Sequence, residues 1–146
     1  MSGHAPFRFQ ARIRMIDTDS SGRIHHTAML RYFEEAEMEF LRTLGINRPH
    51  RGTYNLPRVH IECDFLHVVK LDDMIDIEVS VTKIGRSSHR FEFQSFSSAQ
   101  LVAKGAVVAV CADSSTLRPI PIPDDLRARL SAVLTEPKGT GSAIGE

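Results

Sequence analysis

One stretch of this chain has a different hydrophobic period from the rest, and this difference restricts the fold more than any other feature. Between residues 27 and 44, apolar side chains recur at spacings of three and four, with glutamates largely between them. The stripe consists of Met29, Phe33, Ala36, Phe40 and Leu44, widened by Leu30 and Leu41. This spacing predicts an amphipathic helix of about five turns, which Gly45 is well placed to end. We find no other long helix in the sequence.

Most other segments alternate apolar and polar residues, which is the period of β-strands. Such alternation covers residues 7–15, 59–65 and 75–81, and a further strand carries Phe91 and Phe93 after a turn at residues 85–87. Residues 101–112 are apolar on both faces apart from Lys104, which predicts a central strand covered on both sides. Residues 124–134 predict a short closing helix, with Asp124 or Asp125 near its start.

The order of these elements predicts an α+β fold, because one strand is followed by one long helix and then by four strands. A single helix can cover one face of such a sheet, but it cannot cover both faces or protect both edges. We therefore expect a homo-oligomer on physical grounds.

Length and composition indicate one soluble domain over residues 1–146, with loose tails at 1–5 and 137–146. Eighteen basic residues balance eighteen acidic ones, so no net field favours nucleic acid or an anionic membrane. Cys63 and Cys111 lie far apart in apolar stretches, which is typical of buried, reduced thiols. No signal pattern is present, and no apolar run approaches the roughly 20 residues that span a bilayer. We expect a cytoplasmic protein without nucleic-acid partners or membrane insertion.

The junction of the first strand and the helix carries a recognisable motif. From residue 16 to residue 36 it reads IDTDSSGRIHHTAMLRYFEEA. This segment resembles the D-x-D-x-x-G-x-(V/I)-x-(H/N/P)-x-x-(Y/M)-(L/F) signature of the 4-hydroxybenzoyl-CoA thioesterase family within the hotdog superfamily. It is especially similar to the bacterial acyl-CoA thioesterase branch that accompanies the Tol–Pal genes, in which a histidine occupies the position of His26. The likeness extends over about residues 7–130. Glu37 and Met29 depart from it, since the relatives often have Arg and Tyr there.

The resemblance implies a hotdog fold, in which one long central helix is wrapped by a curved antiparallel sheet of about five strands. It implies homodimers or dimers of dimers, with active sites between subunits. The implied activity is the hydrolysis of acyl-CoA thioesters to free acid and coenzyme A, without a metal and without a cofactor other than the coenzyme A of the substrate. A short-to-medium aliphatic acyl group is our expectation.

The same resemblance assigns roles to residues of the motif. Asp19 has the family position of the catalytic carboxylate, acting as nucleophile or as general base. Gly22 can adopt positive φ and so lets the loop approach a ligand closely. The backbone N–H groups near His25, His26 and Thr27 are expected to be unsatisfied donors at the helix start, suited to a developing oxyanion. His26 would also offer its ring N–H to the carbonyl or help to position water.

Two further expectations concern residues around these. Arg86, Ser87 and Ser88 would bind the phosphates of coenzyme A, because guanidinium and hydroxyl donors suit phosphate oxygens. The same three residues are equally compatible with a solvated hairpin turn. Asp17 is expected to hold the loop by hydrogen bonds.

Several alternatives stay open on sequence alone. The substrate could be an acyl-carrier-protein thioester, or the chain could bind acyl-CoA without hydrolysing it, although a pure binder has no need of Asp19. A dehydratase of the same superfamily would place its acid and base in other motifs. A serine hydrolase is disfavoured because no G-x-S-x-G elbow is present. A metal site is disfavoured because His25 and His26 should diverge on a helix and no further ligand motif completes the set.

Overall fold

The computed structural model describes residues 6–46 and 52–137, and five of its strands form one antiparallel sheet. In chain order the strands are β1 (Phe7–Arg12), β2 (Tyr54–Asn55), β3 (Arg58–Phe65), β4 (Met74–Ile84), β5 (Ser88–Ser97), β6 (Gln100–Val110) and β7 (Ala112–Asp113). The sheet has the order β1-β4-β5-β6-β3, while β2 and β7 pair separately. The predicted antiparallel sheet of about five strands is confirmed. The predicted loose tails, 1–5 and 137–146, lie outside the described residues except for Pro137.

The helices are α1 (Ala28–Thr43) and α2 (Asp124–Ser131). Both are shorter than predicted: α1 has 16 residues, or about four and a half turns, and α2 has eight. Gly45 ends α1 as expected, with φ at +78°. Its N–H donates to the Arg42 carbonyl (3.0 Å), and the N–H of Ile46 donates to that of Leu41 (2.9 Å). These two bonds form a Schellman cap.

Aromatic side chains join α1 to the sheet. The ring of Phe33 stacks on that of Phe93 on β5, with centroids 4.7 Å apart. Phe40 meets Phe7 on β1 at 5.4 Å and Phe91 on β5 edge-on at 6.0 Å. On β4, the predicted inward set is fully buried and consists of Ile75, Ile77, Val79 and Val81. The core therefore lies between the apolar stripe of α1 and one face of the sheet.

The first strand ends earlier than its alternating pattern indicates. Ile13 is buried, but Met15 begins a 3-10 turn, Met15–Asp17, and is 73% exposed. The turn is closed by the Asp17 N–H, which donates to the Arg14 carbonyl (2.9 Å). The prediction of a strand as far as Met15 was wrong because this turn redirects the chain towards the motif.

The edge strand β3 forms where alternation predicts a strand, but three of its apolar side chains are not covered. Val59, Ile61 and Phe65 are 60%, 51% and 50% exposed. In the described residues β3 pairs only with β6, so one edge of the strand is unpaired. The sheet thus ends in an apolar edge.

Strand β6 is mostly buried on both faces, as predicted, but it is not central. It lies between β5 and the edge strand β3, and β5 occupies the middle of the sheet.

Gly105 on β6 is a point where the backbone lies very close to its neighbours. A Cβ atom there would lie 2.5 Å from the Glu62 carbonyl oxygen on β3 and 2.8 Å from Cε2 of Phe33. This position therefore requires glycine because a neighbouring strand and α1 converge on it.

Both cysteines are free thiols, as predicted. Burial, together with the charge of Asp64, raises the pKa of Cys63 to about 12. Cys111 is fully buried. No helix in the described part of the chain is long and apolar enough to cross a membrane.

Candidate active site

Asp19 lies in a tight hairpin between the 3-10 turn and α1. Thr18 and Ile24 form an antiparallel bridge at its base. The Asp19 N–H donates to the Arg23 carbonyl (2.8 Å), and the Gly22 N–H donates to the Asp19 carbonyl (3.0 Å). Gly22 has φ at +83°, the left-handed conformation that closes a three-residue hairpin loop. A Cβ at this position would meet no heavy atom within 4 Å, so the backbone conformation rather than space requires glycine.

The Asp19 carboxylate is exposed and is oriented by one neighbour. The hydroxyl and the backbone N–H of Ser21 both donate to Oδ1, at 2.6 and 2.8 Å. These two hydrogen bonds, and with smaller effects the backbone N–H and the charge of Arg23, lower the pKa of Asp19. The group is therefore ionised at neutral pH, and both donors of Ser21 reach Oδ1 rather than Oδ2.

Asp17 anchors the beginning of this hairpin to α1. Its carboxylate is buried and accepts hydrogen bonds from the Tyr32 hydroxyl (2.7 Å) and from Nε of Arg14 (3.1 Å). It also forms an ion pair with Arg31. Burial raises the pKa of Asp17, but these hydrogen bonds and charges outweigh burial and lower it overall. The expected hydrogen-bonding role of Asp17 is thus confirmed by its contacts.

The end of the hairpin is fastened to the same residue. The backbone N–H of His25 donates to the Asp17 carbonyl (2.8 Å). The side chain of Asp17 therefore holds α1, while its carbonyl holds the segment that enters α1. Through this one residue, the position of the Asp19 loop is tied to the helix start.

Two of the three expected oxyanion donors are already bonded within the protein. Besides His25, the N–H of Thr27 donates to Nδ1 of His25 (3.2 Å). The expectation that these two groups are unsatisfied was wrong, because the turn before α1 supplies local acceptors. The N–H of His26 has no acceptor in residues 6–46 and 52–137. It is the one predicted donor that the structure leaves available.

The two adjacent histidines also differ from expectation. Their rings stack with centroids 4.4 Å apart and do not diverge. The physical reason is that α1 begins only at Ala28, so His25 and His26 lie in a turn to which the helical rotation of 100° does not apply. Even so, no group of three or more His, Cys, Asp and Glu residues in the described chain could hold a metal ion.

Asp19 and His26 line one cavity of about 300 Å³. Its remaining walls come from the motif and from the segment after β3, and consist of Arg23, Ile24, Phe65, Leu66, His67, Val68 and Val69. The structure therefore brings together the predicted carboxylate and the predicted histidine beside an apolar wall. Gly22, His25 and Thr27 shape the loop around this cavity without lining it.

Sequence reasoning missed the segment at residues 65–69 as part of this site. Phe65 and Val68 are half or more exposed although they are large and apolar, and His67 adds a second imidazole to the cavity. The signal was available in part, because an apolar run interrupted by a histidine at the end of an alternating strand is unusual for a solvated loop.

Arg86, Ser87 and Ser88 lie at the other end of β4. The hairpin that carries Asp19 contacts the segment just before that strand, since the Leu71 N–H donates to the Gly22 carbonyl (3.0 Å). Strand β4 has 11 residues and spans about 36 Å before the turn at 85–87. Within one protomer the structure does not bring these three residues to the Asp19 cavity, and Ser88 lines a separate cavity of about 490 Å³.

Comparison with known proteins places the chain in a family. The family described as the thioesterase-like superfamily matches residues 13–130. The chain belongs to this superfamily. A 1,4-dihydroxy-2-naphthoyl-CoA hydrolase of Synechococcus elongatus is 31% identical over 84% of this chain and 93% of its own length. An acyl-CoA thioesterase of Haemophilus influenzae is 26% identical over 84% of this chain and 92% of its own.

Solved structures of thioesterases have the same fold. A predicted thioesterase from Bacillus stearothermophilus superposes with a TM-score of 0.81 at 25% identity, covering 91% of this chain and 99% of that one. A 1,4-dihydroxy-2-naphthoyl-CoA thioesterase from Synechocystis superposes with a TM-score of 0.82 at 20% identity, covering 87% and 96%. The family resemblance read from the motif is therefore confirmed for this member of the thioesterase-like superfamily.

Proposed function

We propose that this chain hydrolyses acyl-CoA thioesters, with Asp19 as the reacting carboxylate and the N–H of His26 as a donor to the thioester carbonyl. The observation that carries the proposal is the meeting of Asp19 and His26 in one partly apolar cavity. The relatives that match most of the chain are named as hydrolases of coenzyme A thioesters, which supports the same substrate class. Membership of the superfamily supports a hydrolase over a binder.

The chemistry needs two features that this cavity offers. An ionised carboxylate must either attack the thioester carbon through Oδ2 or take a proton from an attacking water, and the lowered pKa of Asp19 supplies the ionised form. The developing negative charge on the carbonyl oxygen needs a donor, and the unused N–H of His26 at the start of α1 is suited to it. If Asp19 attacks, the thiolate of coenzyme A leaves and takes up a proton, and a water then hydrolyses the acyl–Asp19 anhydride to the free acid and the original carboxylate. If Asp19 is the base, the water attacks the thioester carbon directly, and the proton that Asp19 accepts passes to the departing thiolate as the free acid is released. No metal or further cofactor is part of the proposal.

The decisive experiment compares Asp19→Asn with wild type in the release of thiol from acyl-CoA esters. We expect the variant to lose turnover by a factor of about 10² to 10⁴, because the amide can neither attack nor accept the proton. A matched control is Asp113→Asn, since Asp113 directly precedes a turn and its Oδ1 also accepts two N–H groups, both from the backbone, at 2.8 Å. The proposal fails if the Asp19 variant keeps the wild-type rate, or if wild type binds acyl-CoA tightly without releasing thiol.

The two routes can be separated with the same protein. Rapid quenching of the reaction followed by mass spectrometry should detect an acyl group on the peptide that contains Asp19 if this residue is the nucleophile. Absence of the adduct under conditions of burst turnover would favour the role of general base.

The size of the cavity supports a short-to-medium acyl group. A volume of about 300 Å³ must also admit the thioester and part of the pantetheine arm, so little of it is left for a long chain. Ile24, Phe65 and Val68 supply apolar contact for that group. A panel of acyl-CoA esters of increasing length should therefore show kcat/KM falling for long chains.

We also propose that the chain acts as a homodimer, or a dimer of dimers, with β3 as the contact. Val59, Ile61 and Phe65 form an exposed apolar edge, and an unpaired strand edge offers N–H and C=O groups to a second copy. A second copy on this edge would cover the outer wall of the cavity at Phe65, and it would complete the arrangement of a central α1 wrapped by a sheet. The hairpin at Arg86, Ser87 and Ser88 would then be available to coenzyme A from a neighbouring subunit.

Light scattering after gel filtration tests this assembly. Ile61→Glu should shift the protein towards the monomer, because a charged side chain at a closed apolar contact is costly. Loss of activity in step with dissociation would support a shared site. A stable monomeric wild type with full activity would refute it.

A further inference from the structure

We propose that Ser21 is a positioning residue of this active site, which holds Oδ1 of Asp19 so that Oδ2 is the oxygen presented to the substrate. The inference rests on the proposed function and concerns the same carboxylate. Ser21 does not line the cavity and so acts only through Asp19.

The geometry of the contact is specific. Both donors of Ser21, its hydroxyl at 2.6 Å and its backbone N–H at 2.8 Å, reach the same carboxylate oxygen. An exposed carboxylate otherwise rotates freely, since the terminal torsion of aspartate is broad and two-fold. Two donors from one residue remove this freedom and distinguish the two oxygens. Fixing a reacting group in this way lowers the activation barrier of the reaction, because the group loses less orientational entropy on reaching the transition state.

The hairpin backbone places Ser21 for this task. Asp19 and Gly22 are joined by the turn bond from the Gly22 N–H, so Ser21 lies in the turn directly beneath the carboxylate. Because Gly22 takes a left-handed conformation, the loop closes within three residues and cannot move Ser21 away without opening. The adjacent Ser20 is exposed as well, yet its side chain makes no hydrogen bond within the described residues. The chain thus contains its own control for Ser21.

The other charged and titratable groups around Asp19 are few. Arg23, His26 and His67 line the same cavity, and Arg23 lowers the pKa of Asp19 in the same direction as Ser21. The Asp17 carboxylate, from the preceding turn, is bonded to Tyr32 and two arginines instead. Removing the Ser21 hydroxyl should therefore raise the pKa of Asp19 towards its ordinary value, with Arg23 and the remaining N–H still acting.

The test measures kcat and KM against pH for wild type, Ser21→Ala, Ser21→Thr and Ser20→Ala. We expect Ser21→Ala to lower kcat roughly tenfold with little change in KM, since a hydrogen bond to a charged group is lost but no substrate contact is. The acidic limb of its kcat profile should move to higher pH. Ser21→Thr should restore both values because it keeps the hydroxyl, and Ser20→Ala should match wild type.

The outcomes separate this inference from the proposed function. If Ser21→Ala has the kcat and the acidic limb of wild type while Asp19→Asn is inactive, the positioning role is refuted and the function stands. If wild type releases no thiol from any ester, the function fails, and an NMR titration of the Asp19 carboxyl then decides the inference. An equal Asp19 pKa in wild type and Ser21→Ala would overturn it, and a higher value in the variant would support it.

Discussion

Gly105→Ala is the substitution whose cost in stability follows most directly from the packing of the sheet. Strand β6 passes so close to its neighbours that an added Cβ would lie 2.5 Å from the Glu62 carbonyl oxygen and 2.8 Å from Cε2 of Phe33. Ordinary contacts of a Cβ begin near 3.4 Å, so the new atom is too close by about 0.9 and 0.6 Å. Neither neighbour yields easily. Glu62 belongs to the ladder of β3 with β6, and Phe33 is stacked on Phe93.

The expected response is a shift of β3 away from β6 by about an ångström. Such a shift would stretch ladder hydrogen bonds of about 2.9 Å beyond the useful range. Overpacking of this kind costs about 3 kcal/mol, at the upper end of the usual range because backbone is involved. For a chain of this length, that corresponds to a fall in Tm of roughly 6 to 12 °C.

Thermal unfolding followed by circular dichroism at one fixed protein concentration measures this effect. Gly52→Ala is the matched control, because a Cβ at Gly52 would meet no heavy atom within 4 Å. We expect the control to melt within a degree or two of wild type. If Gly105→Ala did the same, the close approach of β3 and α1 to this glycine would be an incorrect description of the packing.

Two further predictions concern pH. The pKa of Asp17 is lowered in the folded protein, so its ionised carboxylate stabilises the fold above about pH 4. This contribution is lost as the pH falls through the pKa that Asp17 has in the folded protein. In urea titrations at a series of pH values, Asp17→Asn should therefore lose less unfolding free energy in acid than wild type does. Burial, with a smaller effect from Arg58, lowers the pKa of His89 from 6.5 to about 4. Between pH 6.5 and 4, His89 is therefore protonated in the unfolded chain but neutral in the folded one. The free energy of unfolding should fall by up to about 3 kcal/mol over this range. His89→Gln should remove that slope, and an unchanged slope would contradict the burial of a neutral ring.

Much of the fold was predictable from the hydrophobic periodicity of the segments and from the turn-forming residues between them. The alternation at residues 75–81 and the helical stripe at 27–44 are long patterns with one clear solution each, and both elements are found. The order of strands was less accessible. Residues 101–112 are apolar on both faces, which is typical of a central strand, yet β6 lies one place from the edge because β3 pairs beyond it. Such pairing depends on long-range contacts that a local pattern does not contain.

For the candidate site, the sequence predicted which residues lie together better than it predicted which of their N–H groups remain available to a ligand. Asp19 and His26 share a cavity as the motif implies. The hydrogen-bond state of the helix start was mispredicted, because the imidazole of His25 folds back onto the N–H of Thr27. Whether a backbone N–H bonds to a nearby side chain or stays available to a ligand depends on the geometry of the turn, and residue types alone do not determine that geometry. Phe65 and Val68 were missed because they come from a distant part of the chain.

The attachment of the Asp19 hairpin has a consequence for how such a site can diverge. Its base is fixed to α1 through Asp17, while the side chains of Ser20, Ser21 and Arg23 at its tip are exposed. Exchanging Ser21 or Arg23 therefore alters the acidity and orientation of the carboxylate at little expense to folding. The side chains that tune the reacting carboxylate are thus separate from the contacts that hold the hairpin in place, so the chemistry of such a site can change without a change in the sheet that supports it.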